Sequence, residues 1–130
     1  MSSRLSRSLV LLNNVGVGAG PTTVAVVSTG SVSQEFDSQP IYLSWWVSYG
    51  SGATGPSVKY QIVRGVGTAG TQVTGFVTIA EANAAGTMRG GVAVDTPPGI
   101  NALAYSLVFL IANASSAFTL TEVSLCAMVL

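Results

Sequence analysis

The sequence predicts an all-β domain: a two-sheet antiparallel sandwich of about eight strands, with the jelly roll as the favoured arrangement. Short stretches of alternating apolar and polar residues recur along the 130 residues, separated by clusters of Gly, Pro, Asn and Ser. Residues that favour helices, such as Lys, Glu and Gln, are scarce. An immunoglobulin-like sandwich is the second choice, but a chain with one cysteine lacks the Cys…Trp…Cys spacing of that fold.

The N-terminal residues 1–21 have two interpretations, beside a sandwich domain that spans 22–130. Arg4 and Arg7 interrupt an apolar segment that predicts a strand over 5–12, and the glycine-rich VGVGAGP follows it. Either residues 1–21 form an arm that lies on a neighbouring subunit, with VGVGAGP as its joint, or they contain the first strand of the sandwich. We keep both interpretations.

The clearest strand is predicted over 41–49, after one over 22–28. Alternate residues should face opposite sides of a sheet, and one side is consistently apolar. Its residues are Ile41, Leu43, Trp45, Val47 and Tyr49. We expect this side to face the core. Tyr42 and Trp46 then face outward, where large aromatic side chains suit an interface or a binding surface.

Three further strands are predicted over 57–64, 71–80 and 88–94. Residues 65–70 (GVGTAG) match the G-x-G-x-x-G of dinucleotide-binding loops, but that motif must open a helix. The sequence TQVTGFVTI that follows is β-branched and alternating, so we interpret 65–70 as a hairpin loop that binds no phosphate. A Gly-Gly pair at 90–91 predicts a bulge in the next strand.

The last two strands are predicted over 102–112 and 118–130. Tyr105, Leu107 and Phe109 share one side of the first, while its other side, with Val108 and Leu110, is also apolar. This strand should therefore be covered on both sides, and Val108 and Leu110 are candidate contact residues. In 118–130 the apolar residues change side, which predicts a bulge near Thr121 and Glu122.

Catalytic chemistry finds little support in the sequence. The chain has no histidine and a single cysteine, which excludes Ser-His-Asp triads, Cys-His pairs and cysteine metal clusters. Glu35 and Asp37 have oxygen atoms suited to calcium, but we interpret them as solvated turn residues. Asp95 is expected to cap a turn, and Cys126 to be a small core residue. We predict no enzyme activity, no cofactor and no metal.

The composition points to a chain that is covered by other protein. Charged residues make up 8% of it and hydrophobic residues 48%, and the mean hydropathy is +0.56. Ordinary soluble domains have about 25% charged residues, so we expect a homo-oligomer or a larger assembly. The formal net charge is zero and the apolar run 100–120 is broken by Asn and Ser, so we expect neither nucleic acid nor a membrane as partner. The candidate contact residues are Tyr42, Trp46, Val108, Leu110, Arg4 and Arg7.

The C-terminal third carries a family resemblance, in residues 94–99 (VDTPPG), 104–107 (AYSL) and 123–130 (VSLCAMVL). This D-x-P-x-G…Y-x-L…V-x-L-x-A pattern resembles the closing hairpin of small β-sandwich proteins of tailed-phage virions, of the head-decoration (cement) or fibre-tip type. The resemblance implies a structural protein of the virion, often trimeric, with a major capsid protein or another virion protein as partner. The Val-x-Leu ending is also similar to carbohydrate-binding jelly rolls, which implies a receptor- or carbohydrate-binding module of a tail fibre as the alternative. It assigns no binding residue.

Overall fold

The computed structural model describes residues 5–11, 22–49, 57–75, 77–79, 87–113 and 120–130. Within these ranges the chain forms eleven strands and no helix. The strands are β1 (Leu5–Leu11), β2 (Thr22–Ser28), β3 (Val32–Ser33), β4 (Ile41–Tyr49), β5 (Ser57–Arg64), β6 (Thr71–Gln72), β7 (Val77–Ile79), β8 (Thr87–Asp95), β9 (Ala102–Leu103), β10 (Tyr105–Asn113) and β11 (Leu120–Val129).

The strands form two principal antiparallel sheets. The first sheet has the order β1-β11-β4-β8, and the second has β2-β10-β5 with β6 and β7 both pairing to the far side of β5. We count β6 and β7 as one interrupted strand and leave out the short pair β3-β9, which gives eight strands. When these eight strands are renumbered from 1 to 8 in chain order, the strand order is 1-8-3-6 in the first sheet and 2-7-4-5 in the second. This is the strand order of a jelly roll, so the prediction of fold class is confirmed.

The N-terminal segment contributes the edge strand of the first sheet. β1 pairs with β11 from Leu5 opposite Met128 to Leu11 opposite Glu122. Residues 5–11 are therefore a strand of the sandwich in this structure. The glycine-rich joint that the alternative interpretation places at residues 15–21 (VGVGAGP) lies outside the described residues.

The core lies between the two sheets, because each long strand turns one apolar side inward. Ile41, Leu43, Trp45 and Val47 of β4 are buried, as the alternation predicts. The other large buried side chains come from β5, β10 and β11 and include Tyr60, Ile62, Tyr105, Leu107, Phe109, Val123 and Leu125. Burial of each such side chain stabilises the fold by about 1.5–3 kcal/mol.

A hydrogen bond between two aromatic side chains connects the sheets at the centre of this core. The indole Nε1 of Trp45 donates a hydrogen bond to the hydroxyl of Tyr60 at 3.1 Å. The ring of Tyr60 in turn packs against Phe109, with ring centroids 5.6 Å apart and tilted by 42°. The polar atoms of both buried aromatic residues therefore have partners, as buried Trp and Tyr usually do.

The hairpin predicted at residues 65–70 is confirmed. Arg64 pairs with Thr71 across it. Gly65 and Gly67 adopt φ values of 128° and 99°, which residues other than glycine rarely adopt. The loop lies against β10. The amide of Gly65 donates to Ala104 O at 2.7 Å, and that of Gly67 donates to Ser106 Oγ at 3.1 Å. These two N–H groups therefore bind the protein's own oxygens.

The bulges are only partly as predicted. The register between β11 and β4 shifts between Leu120 and Glu122, which confirms the predicted bulge. The bulge predicted at the Gly-Gly pair is wrong, because β8 pairs with β4 without interruption. The glycines have another role: a Cβ on Gly91 would lie 2.6 Å from Cζ2 of Trp45. Glycine is needed there because the indole packs directly against the backbone of β8.

Substitution of Gly91 by alanine tests this packing. We expect Gly91→Ala to lower the free energy of unfolding by about 1–3 kcal/mol, because the indole or the strand must move. Gly75→Ala is the control, since nothing lies within 4 Å of its Cβ position, and it should change stability by less than about 0.5 kcal/mol. Urea unfolding measures the free energy of unfolding of both variants. Equal stability of the two variants contradicts the packing of Trp45 against Gly91.

Candidate functional site: the outer face of the first sheet

The outer side of the first sheet carries an unbroken row of apolar side chains. Backbone register places Leu5 opposite Met128, Met128 opposite Tyr42, and Tyr42 opposite Val94, so the row crosses all four strands. Leu5 is 60% exposed, Val94 54% and Met128 38%, while Tyr42 is half-buried. We call these four residues the apolar row. None of them is charged at neutral pH.

Two neighbouring rows extend this surface. The first consists of the positions of Arg7, Cys126, Ser44 and Val92, and the second consists of those of Leu9, Ser124, Trp46 and Gly90. Val92 is 62% exposed, and Trp46 is half-buried between two small neighbours, Ser124 and Gly90. The apolar row and these two rows together are the outer face. The predicted outward orientation of Tyr42 and Trp46 is confirmed.

Cys126 also belongs to the outer face, and the expectation of a core cysteine is wrong. Val123, Leu125 and Ala127 of β11 point into the core. The alternation of the strand therefore turns Cys126 outward, where its thiol is free and partly exposed.

The size of the outer face limits what it can bind. Four strands about 4.8 Å apart and about 20 Å of strand length give an area on the order of 400 Å². Only part of this area is apolar, because Arg7, Ser44 and Ser124 also belong to the face. At about 25 cal/mol per Å², complete burial provides about 10 kcal/mol at most, which is comparable to the estimated cost of association of about 4–15 kcal/mol. The face therefore suits a protein contact that is supported by others.

The remaining candidate contact residues have different outcomes. Val108 is fully buried within this chain, so its assignment to a contact surface has to be corrected. Val108 lies on the side of β10 opposite the core residues Leu107 and Phe109, and this side is also covered within the chain, since Ser106 is fully buried there as well. Leu110 is half-exposed on the same strand. Arg4 lies outside the described residues, and Arg7 lies opposite Cys126 with a side chain that the structure does not describe.

One cluster of ionisable side chains joins the two sheets. Nε of Arg64 donates to Oδ2 of Asp95 at 2.8 Å, and Nη2 donates to Oδ1 at 2.6 Å. The hydroxyl of Tyr105 donates to Oδ2 of the same carboxylate at 2.7 Å. Asp95 ends β8 in the first sheet, whereas Arg64 and Tyr105 belong to the second. Sequence patterns do not indicate this cluster, because Asp95 before Thr96 and Pro97 predicts only a turn.

The protonation of this cluster follows from its burial and its hydrogen bonds. Burial by itself raises the pKa of Asp95, but the hydrogen bonds from Arg64 and Tyr105 lower this pKa below its ordinary value. Burial, and then the hydrogen bond to Asp95, raise the pKa of Tyr105. Both oxygens of the carboxylate have donors and Asp95 and Tyr105 are buried, so the cluster acts as a clamp between the sheets and offers no open position to a substrate.

A second polar network fixes the loops beside the candidate calcium ligands. The buried Gln34 accepts hydrogen bonds from the N–H and side-chain amide of Asn101, at 2.9 and 3.1 Å, and donates to Pro97 O at 3.0 Å. Oδ1 of Asp37 accepts the N–H of Gly99 at 2.6 Å, which fits a turn residue. In the ranges that the structure describes, no three His, Cys, Asp or Glu residues are grouped so as to hold a metal ion.

Comparison with known proteins supports the fold alone. No family model matches the chain. No curated protein matches it. Among solved structures, the infectious bursal disease virus VP2 subviral particle matches with a TM-score of 0.56 and 13% identity, over 98% of this chain and 33% of the viral one. The chain thus spans about a third of the length of that viral protein.

Two other structures match over nearly their whole length. FLHE has a TM-score of 0.53 and 6% identity, over 99% of this chain and 98% of its own. A protein of Bacillus endospore appendages, described as disulfide-linked pili, has a TM-score of 0.50 and 19% identity, over 100% of this chain and 91% of its own.

In the parts of this chain that are described, no helix has the length and hydropathy to span a bilayer. The chain is an antiparallel β-sandwich of the jelly-roll kind, a fold that also occurs in a protein of a viral particle.

The clamp between the sheets predicts how stability depends on pH. Because the folded pKa of Asp95 is lowered, its contribution is present above its unfolded pKa of about 4 and is lost as the pH falls further. Because the pKa of Tyr105 is raised, its contribution is fully present below about pH 10 and is lost as the pH rises from there through the folded pKa. We expect Asp95→Asn to cost about 2 kcal/mol at pH 7, with the cost shrinking below pH 4. The cost of Tyr105→Phe should shrink above pH 10. Urea unfolding at several pH values measures both, and costs that do not change with pH contradict the clamp.

Proposed function

We propose that this chain is a non-enzymatic structural subunit of a virion, which decorates and stabilises a phage head as a cement protein. The apolar row across the outer face carries the proposal. Three of its four side chains are exposed by more than a third, in a chain with only 8% charged residues. Exposure of such a surface to water is unfavourable, and its burial against another protein is favourable. The jelly-roll fold, which also occurs in the bursal disease virus particle, supports the proposal.

The proposed action is burial of the outer face against a protein of the shell. The partner is the major capsid protein or another virion protein, and the location is the capsid surface after synthesis in the host cytoplasm. No bond is made or broken, so the contribution is the free energy of the contact. Because one face provides at most about 10 kcal/mol before the cost of association, stable attachment requires additional contacts, which a homo-oligomer supplies. The resemblance implies a trimer.

The alternative is a receptor- or carbohydrate-binding module of a tail fibre. Trp46 favours it, because this half-buried aromatic residue lies on a sheet face between the small residues Ser124 and Gly90. Tyr42 lies four residues away on the same side of β4, which corresponds to about 13 Å along the strand. Two aromatic rings on one face suit stacking on a sugar chain.

Lysine at position 128 tests the proposed function. Met128 lies in the apolar row and is 38% exposed, so Met128→Lys places a charge at the contact without entering the core. We expect it to weaken binding to phage heads that lack this subunit by at least about 100-fold, which corresponds to about 2.7 kcal/mol. Sedimentation with the heads measures the binding. The matched control is Val66→Lys, at an exposed position in the 65–70 loop, which should bind like the natural protein.

The outcomes separate the two functions. Equal binding of heads by both lysine variants overturns a contact through the outer face. Absence of binding by the natural protein, together with a glycan-array signal that Trp46→Ala abolishes, favours the carbohydrate-binding alternative. Thermal unfolding confirms that each variant is folded.

A further inference from the structure

Strand β8 forms an edge of the first sheet, and the centre of this edge has no charged residue. Its nine residues pair with β4 on one side, and within the described residues no strand pairs with the other side. Gly90 is exposed, and because glycine has no side chain, this means that the backbone at the edge is open to solvent. Natural sheets block such edges with proline, a bulge or a charge. The central residues 90–94 (GGVAV) contain none of these, and the charged residues of β8, Arg89 and Asp95, lie on either side of them.

We propose that β8 pairs antiparallel with β8 of a second copy of this chain, which joins two first sheets into one continuous eight-stranded sheet. A single edge serves both copies when it lies on a two-fold axis, so this contact gives a dimer in place of the trimer that the resemblance implies. Full overlap of the nine residues places that axis at Gly91, the central residue of the strand. The contact concerns the edge of the sheet, so it stands whether or not the outer face binds a shell.

Side chains near the axis are complementary in shape. With the axis at Gly91, Val92 lies opposite Gly90 of the second copy, and the same pair recurs on the other side of the axis. Val92 is 62% exposed and points to the outer side, where Gly90 presents no side chain. Each valine therefore fills the space beside a glycine, with no charge at either position.

The expected contact is large enough to be specific. Nine residues in an antiparallel pair form about eight backbone hydrogen bonds, and a typical protein interface contains about ten. Opposite residues of an antiparallel pair point to the same side of the sheet, so the two outer faces become one surface. Its area, on the order of 800 Å², is what one partner buries in a standard interface. Edge pairing therefore converts two small faces into one of ordinary interface size.

Lysine variants at opposite edges of the sheet test the proposal. Val92→Lys places a charge at the β8 edge, and Leu5→Lys places the same charge on the same face at the β1 edge, where exposure is nearly equal at 60%. Sedimentation equilibrium between about 1 and 500 μM measures the mass of each protein. We expect Val92→Lys to halve the mass and to raise the apparent Kd by at least about 30-fold, or about 2 kcal/mol. Leu5→Lys should associate like the natural protein.

Other outcomes overturn the proposal. A natural protein that is monomeric over this range, or a mass that Val92→Lys leaves unchanged, shows that the β8 edge does not pair. Equal loss of association in both variants shows that the outer face itself mediates association. Neither result depends on binding to phage heads, so failure of this proposal and failure of the proposed function are distinguishable.

Cross-linking provides a second test, which does not depend on how well lysine is tolerated. In a Cys126→Ser background, Val92→Cys places two cysteines on neighbouring strands of the joined sheet, about 7–8 Å apart. Leu5→Cys places them seven strand spacings apart, about 34 Å. A short bis-maleimide should cross-link the first variant into dimers and leave the second uncross-linked. The absence of cross-linking through position 92, or equal cross-linking of both variants, overturns the two-fold edge contact.

Discussion

The packing of Trp45 between the two sheets is the contact on which the rest of the structure depends. Its indole rests on the backbone of Gly91 in β8 and donates a hydrogen bond to Tyr60 in β5, whose ring packs on Phe109 of β10. One side chain on β4 thus connects four strands of the sandwich. It also fixes the orientation of β4, since an inward Trp45 turns Trp46 outward.

This orientation creates the exposed apolar surface on which the proposed function rests. The core uses one side of β4 and β11, and the other side of both strands retains large apolar residues, Tyr42 and Met128. A sandwich of two sheets has no third layer to cover them. The resulting conflict between core formation and solubility is relieved when a second protein surface covers the outer face. The same alternation that forms the core therefore also produces the exposed apolar residues on which the proposed assembly rests.

Features encoded by neighbouring residues could be predicted from the sequence, and features that join distant residues could not. The strand over 41–49, its inward side, the 65–70 hairpin and the bulge near Glu122 follow from local alternation and turn residues. The pairs Arg64–Asp95 and Gln34–Asn101 are 31 and 67 positions apart, and no local pattern identifies them. The bulge predicted at the Gly-Gly pair is wrong for the same reason. Glycine is required at position 91 by the indole of Trp45, which lies on another strand.

The clamp and the outer face together suit a subunit that assembles only where many contacts form at once. Arg64, Asp95 and Tyr105 hold the sheets together at the end of β8, so the face is displayed on a sheet whose geometry is already fixed. A preorganised surface loses little conformational entropy on binding. Its area, on the order of 400 Å², still provides less than a standard interface. On the proposed function, a single copy binds weakly in dilute solution, and attachment becomes stable where joined copies meet a surface with several sites, because the second contact is then intramolecular.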